Sequence, residues 1–262
     1  MAHAVHTVEE VAVDAVEYLP DAQPVHATAA ATFEYDPAVQ AVVVATENAT
    51  HAALAWQALQ ADKHVLVDYP LAATEAEVVA LLDLARTRNR LLHVEAIGLL
   101  TAEHAWQKQN LADPSVTHVH SVLIGDISGW LLVESQAGRV GQLVFGRLLA
   151  LDDLLGPLTV RDLDWRGTPE GWELTLQLQA GTRTATLVET RQSGRSRQKH
   201  TRLERADGSA VVPPPLAPDV GLFRRDLAAF VERVRDGGPG YVADEALVRV
   251  TRLAEAVSGG VG

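Results

Sequence analysis

Residues 40–46, QAVVVAT, form an unbroken apolar run rich in β-branched side chains. Such a run reads as a strand covered on both faces, the situation of a parallel sheet flanked by helices. The segments that follow keep to this plan. Leu54, Ala55, Ala58 and Leu59 mark a helical stripe over 51–62, and 64–67 (HVLV) is the next strand. Thr74-Glu75-Ala76-Glu77 is a capping box: the Thr74 side chain accepts from the helix start and Glu77 reaches back. That helix runs on through Leu81, Leu82 and Ala85, and 90–95 (RLLHVE) is a further strand. Strands and helices alternating at this spacing imply parallel pairing through helical crossovers. Residues 11–18 fit strand and helix equally well.

The pattern changes after about residue 113. Residues 115–124 and 158–165 read as strands, with a helix over 140–155 between them. Over 170–180 the alternation is strict, with Trp172, Leu174, Leu176 and Leu178 on one face and Glu173, Thr175 and Gln177 on the other. Gly181 then turns the chain into 183–190, as in an antiparallel sheet with one covered face. Pro213-Pro214-Pro215 ends the sheet region, and two amphipathic helices close the chain. The first uses Phe223, Leu227, Phe230 and Val234, the second Leu247, Val250, Leu253 and Val257. The expected fold is α/β plus α+β: a truncated Rossmann-like parallel sheet over 1–95, then an open antiparallel sheet with flanking helices over 96–262.

Composition narrows the function. The formal net charge of −12 disfavours a general role on nucleic acid or anionic membrane. The absence of cysteine excludes disulfides and thiolate metal sites. No basic start with a long apolar core opens the chain, and no apolar run approaches the roughly 20 residues of a membrane span, so a cytoplasmic location is expected.

The stretch 41–72, AVVVATENATHAALAWQALQADKHVLVDYPLA, resembles the strand–turn–helix–strand block of the Gfo/Idh/MocA oxidoreductases, which usually ends in Glu-Lys-Pro. Here the motif is Asp68-Tyr69-Pro70, and the tyrosine is similar to the biliverdin reductase branch of that family. Residues 90–100 (RLLHVEAIGLL) and 221–257, with its Gly-Leu-Phe-Arg start, resemble the same branch. The resemblance implies a Rossmann-like half, an antiparallel sheet and a ligand crevice at the strand ends.

The departures shape the functional expectation. The family opens with a strand, a glycine-rich turn and a helix, because only bare α-carbons admit the pyrophosphate of a dinucleotide. No glycine precedes Gly98. Residues 1–24 are read as too few for that strand and helix plus the next strand. The branch's histidine and second acid in the HVE stretch are replaced by Ala96 and Gly98. Gly146 and Leu149 stand where the sugar dehydrogenases of the family carry an Asp/His pair, so sugar oxidation finds no support.

Candidate site residues follow from position. Tyr69 and Glu95 stand at strand ends, where open α/β sheets place ligands. A phenol there can donate a proton or bond a carbonyl, and a buried carboxyl gains proton affinity. The resemblance places Arg147 toward the bilin, where a guanidinium can pair with a substrate carboxylate. Tyr69, Glu95 and Arg147 are therefore the catalytic candidates, and Asp68, Tyr69 and Arg147 the substrate-binding ones. Asp68 also suits a structural role on the turn amides, Tyr69 a packed inherited position, Glu95 an ion pair or a helix-start carboxylate, and Arg147 a surface place beside the apolar stripe. Thr46, Asn48 and His51 would hold a cofactor if one is retained, whereas Asn48 or Thr50 otherwise serves as a helix cap. His118 and His120 share a strand face without a third ligand, so no metal is expected. The basic run 191–205 reads as a solvated hairpin.

These readings combine into a biliverdin reductase-like protein with its dinucleotide site dismantled, acting without NAD(P) on a small cyclic or conjugated molecule. One alternative is an NAD(P)H-dependent reductase whose first strand and loop come from an upstream start or a partner chain. The other is a non-catalytic subunit that offers the sheet face of Glu173, Thr175 and Gln177 to a partner. On the first reading the sheet lacks an edge, which the N-terminal segment, a second copy or a partner chain must cover.

Overall fold

The computed structural model describes residues 3–7, 22–26, 39–127, 130–168, 170–216 and 218–260. The chain forms two compact units, residues 1–97 with 220–251, and residues 98–219 with 252–262.

The first unit holds a five-stranded sheet of order β2-β1-β3-β4-β5, built from β1 (His3–Thr7), β2 (Ala22–His26), β3 (Val39–Val44), β4 (His64–Val67) and β5 (Leu92–Val94). Every pairing in it is parallel. The helices α1 (Asn48–Gln60) and α2 (Glu75–Arg88) are the crossovers after β3 and β4. On β3, Val42 and Val44 point into a core shared with Ala55, Leu59, Val78, Leu81 and, from the C-terminal part of the chain, Leu247. Ala41 and Leu66 point the other way and meet Phe230, with Leu227 and Val234 alongside. Both faces are thus covered, which is why the strands read as apolar runs without alternation. The capping box at Thr74 forms as expected, its hydroxyl and Glu77 bonding reciprocally.

The expectation that residues 1–24 cannot supply the opening strand is corrected. β1 lies between β2 and β3, paired from His3↔Ala22 to Thr7↔His26 on one side and up to Thr7↔Val43 on the other. Strands of five residues are short enough to fit, and residues 8–21 between them meet the dozen or so that a parallel crossover needs. The ambiguous stretch 11–18 lies outside the described residues.

The second unit holds a six-stranded mixed sheet of order β11-β10-β6-β9-β8-β7. Its strands are β6 (Val116–Gly125), β7 (Thr159–Thr168), β8 (Gly171–Ala180), β9 (Arg183–Gln192), β10 (Gln198–Arg205) and β11 (Ala210–Val211). The pairings are antiparallel except β6 with β9, which is parallel. Trp172, Leu174, Leu176 and Leu178 are buried, as their alternation predicts. Helices α3 (Ala102–Asn110), α4 (Trp130–Gln136), α5 (Val140–Leu143) and α6 (Phe145–Leu155) complete the unit, so the single helix expected over 140–155 is broken at Val144. Two glycines here are dictated by close approach. A Cβ on Gly171 would lie 1.9 Å from the Arg191 carbonyl oxygen, and one on Gly141 would lie 1.9 Å from that of Ala254.

The C-terminal helices are α7 (Leu222–Asp236) and α8 (Asp244–Gly259). The sequence assigns both to the second domain, but α7 and α8 up to Thr251 group with the first unit. The stripe on α8 is buried at Leu247, Val250, Leu253 and Val257, as expected. On α7 the stripe is rotated: Phe223 is 68% exposed, while Asp226 and Phe230 are buried. No described helix is long and apolar enough to cross a membrane.

Arg147 on α6 is tied into the second unit. Its Nη1 donates to the Val188 carbonyl at 2.9 Å and to Glu189 at 3.1 Å, and its Nη2 donates to the Ser121 hydroxyl and carbonyl. Glu189 is buried and also accepts from Arg191 at 2.7 Å. Removing one member of a buried pair leaves the other charge under-compensated, so Arg147→Ala should cost about 3 kcal/mol of stability in urea titrations. By the same measurement Leu59→Ala, a cavity in the first unit, should cost about 3 kcal/mol, and Thr74→Ala, loss of a cap, about 1 kcal/mol.

Candidate active site

The parallel ladder of the first unit brings three loops to one edge. The Asp68 amide donates to the Val44 carbonyl at 3.0 Å, and the Glu95 amide to the Val67 carbonyl at 2.8 Å. Each residue therefore sits one step past its strand, level with the end of its neighbour. This is the carboxyl edge, where a sheet covered on both faces leaves room for polar groups.

Glu95 is buried, with 4% of its surface exposed. Its Oε1 accepts from the Ile97 amide at 2.7 Å. Burial pushes its carboxyl up to about 7; the negative charges of Asp226 and Asp68 add to the rise, and the Ile97 amide opposes it. Asp68 is also raised above the usual carboxylate range, by burial first and by Asp226, against an opposing pull from His51. Among the described residues no turn amide donates to the Asp68 side chain, so the expected structural bond is not seen. Tyr69 is half-buried and packs on the first core, and the Tyr69–Pro70 peptide is cis.

The loop after β3 carries the conditional cofactor residues. His51 is buried with Nδ1 2.8 Å from the Pro70 carbonyl oxygen and Nε2 2.9 Å from that of Thr46, so it clips two of the three loops together. The Thr46 and Thr50 hydroxyls bond each other at 2.7 Å, and Thr50 also donates to the Glu47 carbonyl. The cap position itself is Glu47, without a side-chain bond, rather than Asn48 or Thr50. Asn48 differs from its neighbours: its Nδ2 is buried and has no hydrogen-bond partner. A buried amide donor left unpaired is costly, and it is a place where a ligand acceptor fits.

A polar chain behind Glu95 escaped the sequence reading. Asp226 of α7 is buried and lies 2.9 Å from His93 Nε2, through Oδ1. Arg233, also on α7, donates to His93 Nδ1 at 3.2 Å. A guanidinium only donates, so Nδ1 accepts and the imidazole proton sits on Nε2, facing the carboxylate. The Tyr241 hydroxyl donates to the same Asp226 oxygen and accepts from the Ala96 amide at 3.0 Å. Burial and Asp226 push the Tyr241 phenol well above its ordinary range. The available signal was an acid on the apolar side of α7 and a histidine inside an apolar strand.

Arg147 belongs to the second unit and so is not grouped with Tyr69 and Glu95. Its two terminal nitrogens are engaged as described, and its Nε is buried without a partner. His118 bonds the Thr184 and Thr186 hydroxyls at 2.6 and 3.0 Å, and His120 bonds Glu204 at 3.2 Å. No set of three or more metal-binding side chains occurs among the described residues.

Comparison with known proteins agrees with this architecture. The Gfo/Idh/MocA family model, described as an oxidoreductase family with an NAD-binding Rossmann fold, matches residues 8–96. Biliverdin reductase A of Mus musculus is 27% identical over 201 residues, and that of Homo sapiens 25% over 199. Each match covers 75% of this chain but 66% of the relative. The crystal structure of biliverdin reductase from Synechocystis sp. PCC 6803, in complex with biliverdin and NADP+, superposes with a TM-score of 0.80 at 24% identity, covering 99% of this chain and 98% of that one. GenD2 from gentamicin A biosynthesis, in complex with NAD, gives a TM-score of 0.82 at 17% identity, covering 98% and 93%. At these identities the structural likeness establishes the fold. Residues 8–96 match the Gfo/Idh/MocA oxidoreductase family model, and the chain as a whole is similar to biliverdin reductases in sequence and fold.

Proposed function

We propose that the chain reduces a small conjugated molecule at the strand ends of its first unit, with Glu95 as proton donor. The observation that carries this is a buried carboxyl pushed up to about 7 at the end of β5. A group with that affinity keeps a large share of its protonated form at neutral pH and can give the proton to a substrate carbon or nitrogen. Tyr69, on the adjacent loop, orients a substrate carbonyl, and Asp68 keeps a polar wall there. Solved structures with this fold include complexes with NADP+ and NAD, which favours a dinucleotide as the reductant. The residues fit the nicotinamide end of such a molecule. Asn48, with its unpaired Nδ2, would bond a carboxamide or ribose oxygen beside Thr46 and His51. When bound, a reduced nicotinamide supplies the hydride.

The pyrophosphate end favours a second reading. Residues 8–21, VEEVAVDAVEYLPD, follow β1 and contain no glycine, lysine or arginine, but carry Glu9, Glu10, Asp14, Glu17 and Asp21. Side chains and like charge oppose a diphosphate there. On this reading the protein isomerises or cyclises its substrate without NAD(P), through Glu95 and Tyr69.

Calorimetry with NADPH and NADH separates the two. Reduction requires saturable binding that Asn48→Ala weakens about tenfold, the worth of one well-placed hydrogen bond. Absence of binding to the full chain leaves the cofactor-free reading. Glu95 also has a signature of its own. Its proton is held more tightly in the folded chain than in the unfolded one, so its contribution to stability is full below about 4.5 and is lost as pH rises through about 7. Glu95→Gln should therefore gain up to roughly 3 kcal/mol over the parent above pH 7 and nothing at pH 4, as read by urea titration.

A further inference from the structure

We propose that Asp226 and Tyr241 are positioning residues for Glu95: Tyr241 pins the turn that carries the carboxylate, and Asp226 sets a fixed negative charge facing it. The inference rests on the reading of Glu95 as the proton donor and names what tunes it. Neither residue is near Glu95 in sequence. Asp226 is on α7 and Tyr241 just precedes α8.

The geometry is that of a closed chain. The Ala96 amide, next to Glu95, donates to the Tyr241 oxygen at 3.0 Å. Tyr241 passes its own proton to the hydrogen bond with Asp226 Oδ1. The same oxygen takes the His93 Nε2 proton at 2.9 Å, and Arg233 holds the far side of that imidazole at 3.2 Å. The rings add packing: His93 lies 5.4 Å from Tyr241 and 5.6 Å from Phe230, centroid to centroid. Each member has one orientation that satisfies its neighbours, so the Asp226 charge and the Ala96 peptide are both fixed.

The groups that bear on Glu95 come from three sides. Asp68, at the end of β4, adds negative charge and is partly offset by His51. Asp226 adds more from α7. His93 and Arg233 connect to Glu95 through Asp226, while Tyr241 bonds both Asp226 and the Ala96 amide and also couples electrostatically with Glu95. A simple packing role would predict that any disturbance admits water and lowers the proton affinity of Glu95. The tuning role predicts opposite signs for two substitutions. Asp226→Asn removes a like charge and weakens proton binding. Tyr241→Phe takes a donor from Asp226, leaves its charge less compensated and strengthens proton binding.

The test is a carbon-13 NMR titration of the full chain labelled at glutamate carboxyls, from pH 4 to 9, with Glu95 assigned by the signal lost in Glu95→Gln. A parent midpoint near 7 that falls by at least half a unit in Asp226→Asn and rises in Tyr241→Phe supports the proposal. Midpoints that fall together in both variants, or stay put, overturn it while leaving Glu95 as the donor. A parent midpoint in the ordinary carboxylate range overturns both, and is told apart because it appears before any substitution. Should Asp226→Asn fail to fold, the nearly isosteric Tyr241→Phe decides alone, upward in support and otherwise against.

Discussion

A parallel sheet covered on both faces gives polar groups their main outlet at the strand ends, with His93 on β5 a partnered exception. In the first unit, Val42, Val44, Val65 and Val67 face one core and Ala41 and Leu66 the other, so the covered faces of β3 and β4 are mostly apolar. The ladder then aligns the strand ends and delivers Asp68 and Glu95 to the same edge. Two acids brought together with little water cannot both keep ordinary proton affinities. Burial at that edge is what chiefly raises the proton affinity of Glu95; the Ile97 amide opposes the rise, while Tyr241 and His93 bond the neighbouring Asp226.

Much of this was legible in the sequence because burial on two faces writes a run, and burial on one face writes an alternation. QAVVVAT and HVLV are the first kind; Trp172, Leu174, Leu176 and Leu178 are the second. The capping box at Thr74 was legible because its two bonds are local. What the sequence concealed was mostly long-range. β1 and β2 are five residues each, and Pro24 within β2 hides the apolar pattern. The parallel pairing of β6 with β9 leaves no mark, since alternation is the same whichever way a partner runs. The bond between His93 and Asp226 joins residues 133 apart in the chain. Phe223 misled because a stripe of spacing three and four fits two rotations of α7, and the burial of Asp226 selects the one that leaves Phe223 outside.

Arg147 shows how a resemblance and a geometry can ask different things of one side chain. The resemblance directs it at a substrate. The structure gives its terminal nitrogens to Val188, Ser121 and Glu189, so its first duty is to the sheet it lies on. The dinucleotide question has the same form. Asn48 has a buried donor without a partner, which suits a ligand, while the sequence of residues 8–21 carries five acids and no glycine.

The glycines carry one more lesson. None stands where a phosphate would want it before residue 98, yet Gly141 and Gly171 are each pressed against another residue's carbonyl so closely that a methyl group would overlap it. Neither has a side chain that could give a proton. A saturation scan would therefore flag both for packing alone, so intolerance to substitution does not by itself mark a ligand site in this chain.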